Sequence, residues 1–122
     1  MSSKINEIYE NQEEFQNLLI TKTNYSDKKL RDFNDKEKTL YSKELALLMH
    51  QEVSEFIDAV GNYKLHKTQK DGKSIKEIRK EIADIFIFSL NMALTHNMTL
   101  DELLSGVESK QNENFQRQKS GY

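Results

Sequence analysis

The chain has no cysteine, no proline and no tryptophan, and only four glycines in 122 residues. Without cysteine there is no disulfide, no thiolate zinc site and no cysteine nucleophile. Without proline, and with so few glycines, an all-β fold lacks its turn residues, so helices are the default. No apolar run approaches the roughly 18–20 residues of a membrane span. The segment from Met1 to Glu10 alternates polar and charged side chains where a signal peptide carries an apolar stretch. These absences predict a soluble, cytoplasmic protein with no membrane partner. Net charge is also scarce, at −2, which argues against duplex nucleic acid as the main partner. A small phosphorylated ligand needs only a few local cations and stays open.

What is present reads as one helical domain over residues 1–122, since this length fits one core and no more. With 36% apolar residues the core is thin, so association with a second copy would help stability. Ile5, Ile8, Phe15, Leu18, Leu19 and Ile20 have loosely helical spacing and predict a first helix over 4–20. Residues 21–34 read as a connection, with turn chemistry at Asn24-Tyr25-Ser26-Asp27 and a short helical turn around Lys28–Phe33. A long helix follows from about Asp35 to about Tyr63, with Leu45, Leu48, Met49, Val53, Phe56, Ile57 and Val60 near the i, i+3, i+4, i+7 template. Ser74-x-x-Glu77 and Thr99-x-x-Glu102 are capping boxes. They open a third helix through about His96 and a fourth through about Phe115. The fold class is all-α, a four-helix bundle completed by dimerisation. Its core spans about 35–115, with a polar tail over 116–122.

Glu52-Val53-Ser54-Glu55 and Glu81-Ile82-Ala83-Asp84 stand out from this frame. Each is an acidic pair at i, i+3, so both carboxylates share one helix face. Either pair alone is more often a solvated surface. Here Glu52 falls on the apolar stripe between Met49 and Phe56, where packing would want leucine, and the second pair is placed similarly. If the two helices pack antiparallel, four carboxylates converge, and desolvation plus repulsion demand a cation. Hard oxygen ligands suit Mg²⁺ or Mn²⁺. Di-iron chemistry would need Glu-x-x-His pairs on two helices, and His50, His66 and His96 lack that spacing.

Two basic groups are candidates for a phosphate chain. Lys64, Lys67, Lys70 and Lys73 line a loop that reads either as a solvated linker or as point charges beside the metal. Lys110, Asn114 and Arg117, at i, i+4, i+7, place an ammonium, an amide and a guanidinium on one helical face. That face is either solvated or a reader of phosphate and nucleoside.

Glu52-x-x-Glu55 followed by Glu81-x-x-Asp84 resembles the metal-binding signature of the all-α nucleoside triphosphate pyrophosphohydrolases, which include MazG-like proteins and the dimeric dUTPases. Lys110-x-x-x-Asn114-x-x-Arg117-Gln118-x-x-Gly121-Tyr122 is similar to the C-terminal motif of the dimeric dUTPase branch. The resemblance covers about residues 45–122. It implies a metal-dependent hydrolase that splits a (deoxy)nucleoside triphosphate into monophosphate and pyrophosphate. By this resemblance Glu52, Glu55, Glu81 and Asp84 hold Mg²⁺, with Glu52 and Glu55 aiding the attacking water. Lys110 and Arg117 hold phosphates and Asn114 contacts the nucleoside; from the basic loop, Lys64 is the further substrate-binding candidate. It also implies a homodimer or a dimer of dimers. Departures are the missing tryptophan, whose place Tyr63-Lys64 takes, and Gln51, where many relatives carry a further glutamate. An N-terminal glutamine reads the base in some relatives, and Gln12 and Gln16 are the candidates here. Two rival readings are a nucleotide-sensing module and a structural helical bundle with surface acids.

Overall fold

The computed structural model describes residues 3–23, 28–61 and 73–121. Four helices account for most of them: α1 Lys4–Ile20, α2 Asp35–Val60, α3 Ile75–Thr95 and α4 Leu100–Lys119. A 3-10 turn, Leu30–Asp32, lies between α1 and α2. No strand occurs among the described residues, and none of the described helices is long and apolar enough to cross a membrane. The turn expected at Asn24–Asp27 lies outside the described residues, as do Tyr63, Lys64, His66, Lys67, Lys70 and Tyr122.

The helix starts follow from local chemistry. Ser3, Asn34, Ser74 and Thr99 each cap an exposed helix-end N–H with a side-chain oxygen. Asn34–Glu37 and Thr99–Glu102 are complete capping boxes, each cap contributing about 1 kcal/mol. The box expected at Ser74 is half made. Ser74 accepts from the Glu77 N–H, but its hydroxyl donates to the Glu77 carboxylate, which therefore does not reach back to the backbone. At the other end α2 stops at Gly61, whose φ of 76° only glycine adopts without strain. That is three residues before the end expected from the apolar pattern.

The last turn of α3 closes on Asn97 in the left-handed region, φ 56°. The Met98 N–H donates to the Ala93 carbonyl at 3.1 Å and the Asn97 N–H to that of Leu94 at 3.0 Å, the paired bonds of a Schellman stop.

α2 and α3 form an antiparallel hairpin. Ser42 near the start of α2 lies 2.9 Å from the His96 ring at the end of α3, and the Lys73 N–H donates to the Ala59 carbonyl at the other end. α1 packs across the open end, by Ser42 and His96, where the Tyr9 hydroxyl donates to the Met98 carbonyl at 2.7 Å. The core sits there too: Tyr9, Ile20, Leu30, Phe33, Tyr41, Leu45, Leu90 and Leu94 are all buried. Phe33 and Tyr41 meet edge to face at 5.5 Å, a geometry worth about 1 kcal/mol beyond area burial.

The stripe read for α1 is corrected. Ile8, Phe15, Leu18 and Leu19 are exposed, and the buried face is Tyr9, Gln12, Gln16 and Ile20. Those four positions follow a helical repeat of their own, and the hairpin satisfies part of their polarity: the Tyr41 hydroxyl donates to the Gln16 carbonyl oxygen. α4 also differs, running to Lys119 rather than ending near Phe115. Its last turns are rich in Gln, Glu, Lys and Arg, good helix formers, and Glu113 bridges both Lys110 and Arg117 along the helix.

Candidate metal centre

The hairpin brings the two acidic pairs together at the end away from the core. Tyr41, Leu45, Glu52, Phe56 and Ala59 trace the face of α2 turned inward, and Ile78, Glu81, Ile85 and Phe88 trace that of α3. Glu52 and Glu81 therefore occupy packing positions, half-buried, while Glu55 is exposed beside them. One carboxylate oxygen from each of Glu52, Glu55 and Glu81 lies within 4.8 Å of the other two. Asp84 does not join that trio at this spacing. It is half-buried one turn further along α3, near enough for its charge to act on both Glu52 and Glu81.

The electrostatics record the crowding. Burial first, then the charges of Glu55 and Asp84, push the Glu52 carboxyl up to about 7. Hydrogen bonding with Glu55 and the charge of Glu81 add to this. Glu81 is raised by burial and then by Glu55 and Asp84, with the Lys73 ammonium opposing them. Lys73, noted in the sequence only as part of a basic loop, thus has a described role at the cluster. Oε2 of Glu52 and Oε2 of Glu81 are both buried with no hydrogen-bond partner.

Buried carboxylate oxygens without donors are expensive. A divalent cation supplies what they lack, and the donor set, all hard oxygen, fits the Mg²⁺ and Mn²⁺ class. An octahedral shell with metal–oxygen bonds of about 2.1 Å spaces its ligands roughly 3–4 Å apart, so small rotations of these side chains suffice.

The other expected residues are placed differently. Lys110, Asn114 and Arg117 do share one face of α4, where Lys110 and Arg117 contact Glu113 at 3.4 and 2.6 Å. Neither Lys110 nor Arg117 is among the charges that act on Glu52 and Glu81. Lys64 lies outside the described residues. His50 is exposed, and His96 is exposed against Ser42, so neither approaches the acidic cluster.

Two further polar side chains are buried on different helices. Asn91 is two turns beyond Asp84 on the same side of α3 and is 3% exposed, and Gln12 on α1 is 9% exposed. Asn91 Oδ1 and Gln12 Nε2 have no hydrogen-bond partner, one an acceptor and the other a donor. The sequence offered Gln12 only as one of two glutamines. Both are buried, and what separates them is hydrogen bonding: Gln16 accepts from Tyr41, and Gln12 Nε2 has no partner.

No curated protein and no solved structure matches this chain. A family model described as dUTPase does match, over residues 4–102, taking in both acidic pairs and stopping short of Lys110, Asn114 and Arg117. With most of its length so matched and an all-helical fold around the acidic pairs, the chain belongs to the MazG-like, all-helical dimeric dUTPase family.

Proposed function

We propose that this protein is a Mg²⁺-dependent pyrophosphohydrolase that converts a deoxynucleoside triphosphate, dUTP foremost, to the monophosphate and pyrophosphate. The observation that carries this reading is the trio Glu52, Glu55 and Glu81, converging within 4.8 Å with two buried oxygens unsatisfied. Family membership supplies the nucleotide-hydrolysing chemistry.

Glu52, Glu55, Glu81 and Asp84 would hold Mg²⁺, or Mn²⁺, which supplies charge neutralisation of the phosphates and an acidified water. Glu52 and Glu81 are held on the inward faces of the hairpin and would bind with only small side-chain rotations. Glu55, exposed at the mouth of the cluster, is placed to orient the attacking water and take its proton. Lys64, Lys110 and Arg117 meet the phosphate chain and Asn114 the nucleoside. Phosphoryl transfer asks little beyond such positioning and charge.

Gln12 and Asn91 support a base subsite. A lactam edge presents one carbonyl and one N–H, the complement of the unsatisfied Gln12 Nε2 and Asn91 Oδ1. Seven residues of helix place Asn91 about 10 Å from Asp84 along the axis, in keeping with the reach from a phosphate chain to its base. The protein acts in the cytoplasm on free nucleotide, as a homodimer or a dimer of dimers.

Product analysis tests this reading. The protein is incubated with Mg²⁺ and each canonical and non-canonical nucleoside triphosphate separately, and the phosphorus products are resolved. dUMP and pyrophosphate from dUTP are expected. Broad turnover of many bases would refute the base assignment, and no turnover with either metal would refute the hydrolase.

A further inference from the structure

A cleft of about 430 Å³ opens between α1, the 3-10 turn and the start of α4, a volume within the range of sites that hold small molecules. Tyr9, Leu94, Met98 and Leu100 line it. Three of these are buried and Met98 is half-buried, so they form an apolar floor. Glu10 and Arg31, both exposed, and half-buried Glu13 stand at the rim. Leu94 lies about 20 Å along α3 from Glu81, so the cleft is no part of the acidic trio.

The sign of charge at the rim is set by side chains. The negative end of α3 and the positive end of α4 meet here, and their dipoles offset one another. Arg31 approaches Glu13 only to 3.6 Å, with both side chains solvated, a contact that neutralises little. Glu10 adds a second carboxylate. Glu102 adds a third from the first turn of α4. Burial first, then the charges of Glu13 and Glu102, raise the Tyr9 hydroxyl, so both acids act on the floor of the cleft. The Thr99 backbone N–H and side chain hold the Glu102 carboxyl below its ordinary value, which keeps it ionised. Three carboxylates thus outweigh one guanidinium.

We propose that this cleft binds a small organic cation, a primary amine carried on an apolar stem. The stem covers Tyr9, Leu94, Met98 and Leu100 and takes their surface out of water. The ammonium meets Glu10 and Glu13 at the rim in charge-assisted hydrogen bonds. Arg31 repels the ammonium and limits its affinity. The same balance of charge disfavours carboxylate and phosphate ligands, so the cleft and the proposed nucleotide site select opposite kinds of molecule. The inference goes beyond the hydrolase reading and does not depend on it.

Methionine methyl resonances test the site without turnover. Met98 lies in the cleft, and Met49 lies one turn before Glu52 on α2, so a chain labelled with ¹³C-methyl methionine reports on both ends of the hairpin at once. Three probes of one shape are titrated separately at constant ionic strength: phenylpropylamine, phenylpropanol and phenylpropanoate. The amine is expected to shift Met98 saturably, with a dissociation constant of about 1 mM, and to do so before Met49 responds. The alcohol should bind about fivefold more weakly, and the carboxylate more weakly again. Met98 unmoved by the amine at about 10 mM, Met49 responding first, or either other probe matching the amine would overturn the proposal.

Two substitutions at exposed rim positions check the charge assignment in opposite directions. Glu10→Gln should weaken the amine about fivefold and leave the alcohol unchanged. Arg31→Gln should tighten the amine about threefold. Amine binding that is indifferent to Glu10→Gln, or that weakens in Arg31→Gln, would overturn the assignment of a cation to this cleft. An inert enzyme would refute the hydrolase and leave these titrations to decide the cleft.

Discussion

Replacing Glu52 by Gln should stabilise the metal-free protein by an amount that grows as pH rises from about 4.5 and is complete above about 7. The Glu52 carboxyl rises from 4.5 to about 7 on folding. The folded chain therefore holds this proton more tightly than the unfolded one, and stability falls as pH climbs from about 4.5 through 7. The full difference corresponds to about 3 kcal/mol. Water reaches the cluster through exposed Glu55, and screening of that kind reduces the figure to about 1–2 kcal/mol. Glutamine keeps the shape of the protonated side chain and never ionises. At pH 5 the two proteins should melt together. At pH 8, with chelator present, Glu52→Gln should melt about 3–12 °C higher, at about 3–6 °C per kcal/mol for a chain of this size. Urea denaturation at both pH values provides the free energies. A variant that is less stable at pH 8, or whose advantage is the same at pH 5, would refute the reading of Glu52 as a strained ligand.

The same site should respond to metal in the opposite sense. Mg²⁺ at about a hundred times its dissociation constant should add about 2.7 kcal/mol to the wild type, and calorimetry should show little of that gain in Glu52→Gln. Glu55→Gln should fold normally and lose turnover by about a hundredfold or more; near wild-type rates in a steady-state assay would remove Glu55 from the chemistry. Asn91→Ala should raise KM for dUTP about tenfold with a smaller effect on kcat, as expected for a lost polar contact to the base. Tyr41→Phe leaves the Gln16 carbonyl oxygen buried without its donor and should cost about 1–3 kcal/mol in urea denaturation.

Much of the frame was legible because it is written in local chemistry. The caps at Ser74 and Thr99 need only a side chain and the next turn of backbone, so those helix starts can be read from neighbours; the caps at Ser3 and Asn34 emerge from the structure. The acidic cluster was legible for a different reason: Glu52 sits where an apolar residue belongs, and such a violation stands out against the period of its own helix. The buried face of α1 was hidden. Periodicity ranks leucine and phenylalanine above glutamine, and nothing in α1 itself announces that a tyrosine of α2 waits for Gln16. The partial exclusion of Asp84 from the trio has the same origin. Spacing along α3 puts it on the face of Glu81, but the distance to α2 is set by how the hairpin packs. The extension of α4 was missed because its last turns are polar all round, and polarity without an apolar stripe resembles a tail.

The junction between α3 and α4 has a mechanical consequence. It is fastened on three sides: by the paired bonds into Ala93 and Leu94, by the Thr99–Glu102 box, and by the Tyr9 hydroxyl on Met98. α4 is thus a rigid arm on a locked elbow, with Arg117 about 25 Å out along it. A swing of only about 5° at the elbow displaces that guanidinium by about 2 Å. Misplacement by about 1 Å can slow a reaction a hundredfold. Tyr9, buried at the end of the hairpin opposite Glu52, Glu55 and Glu81, therefore helps set the direction in which Arg117 extends.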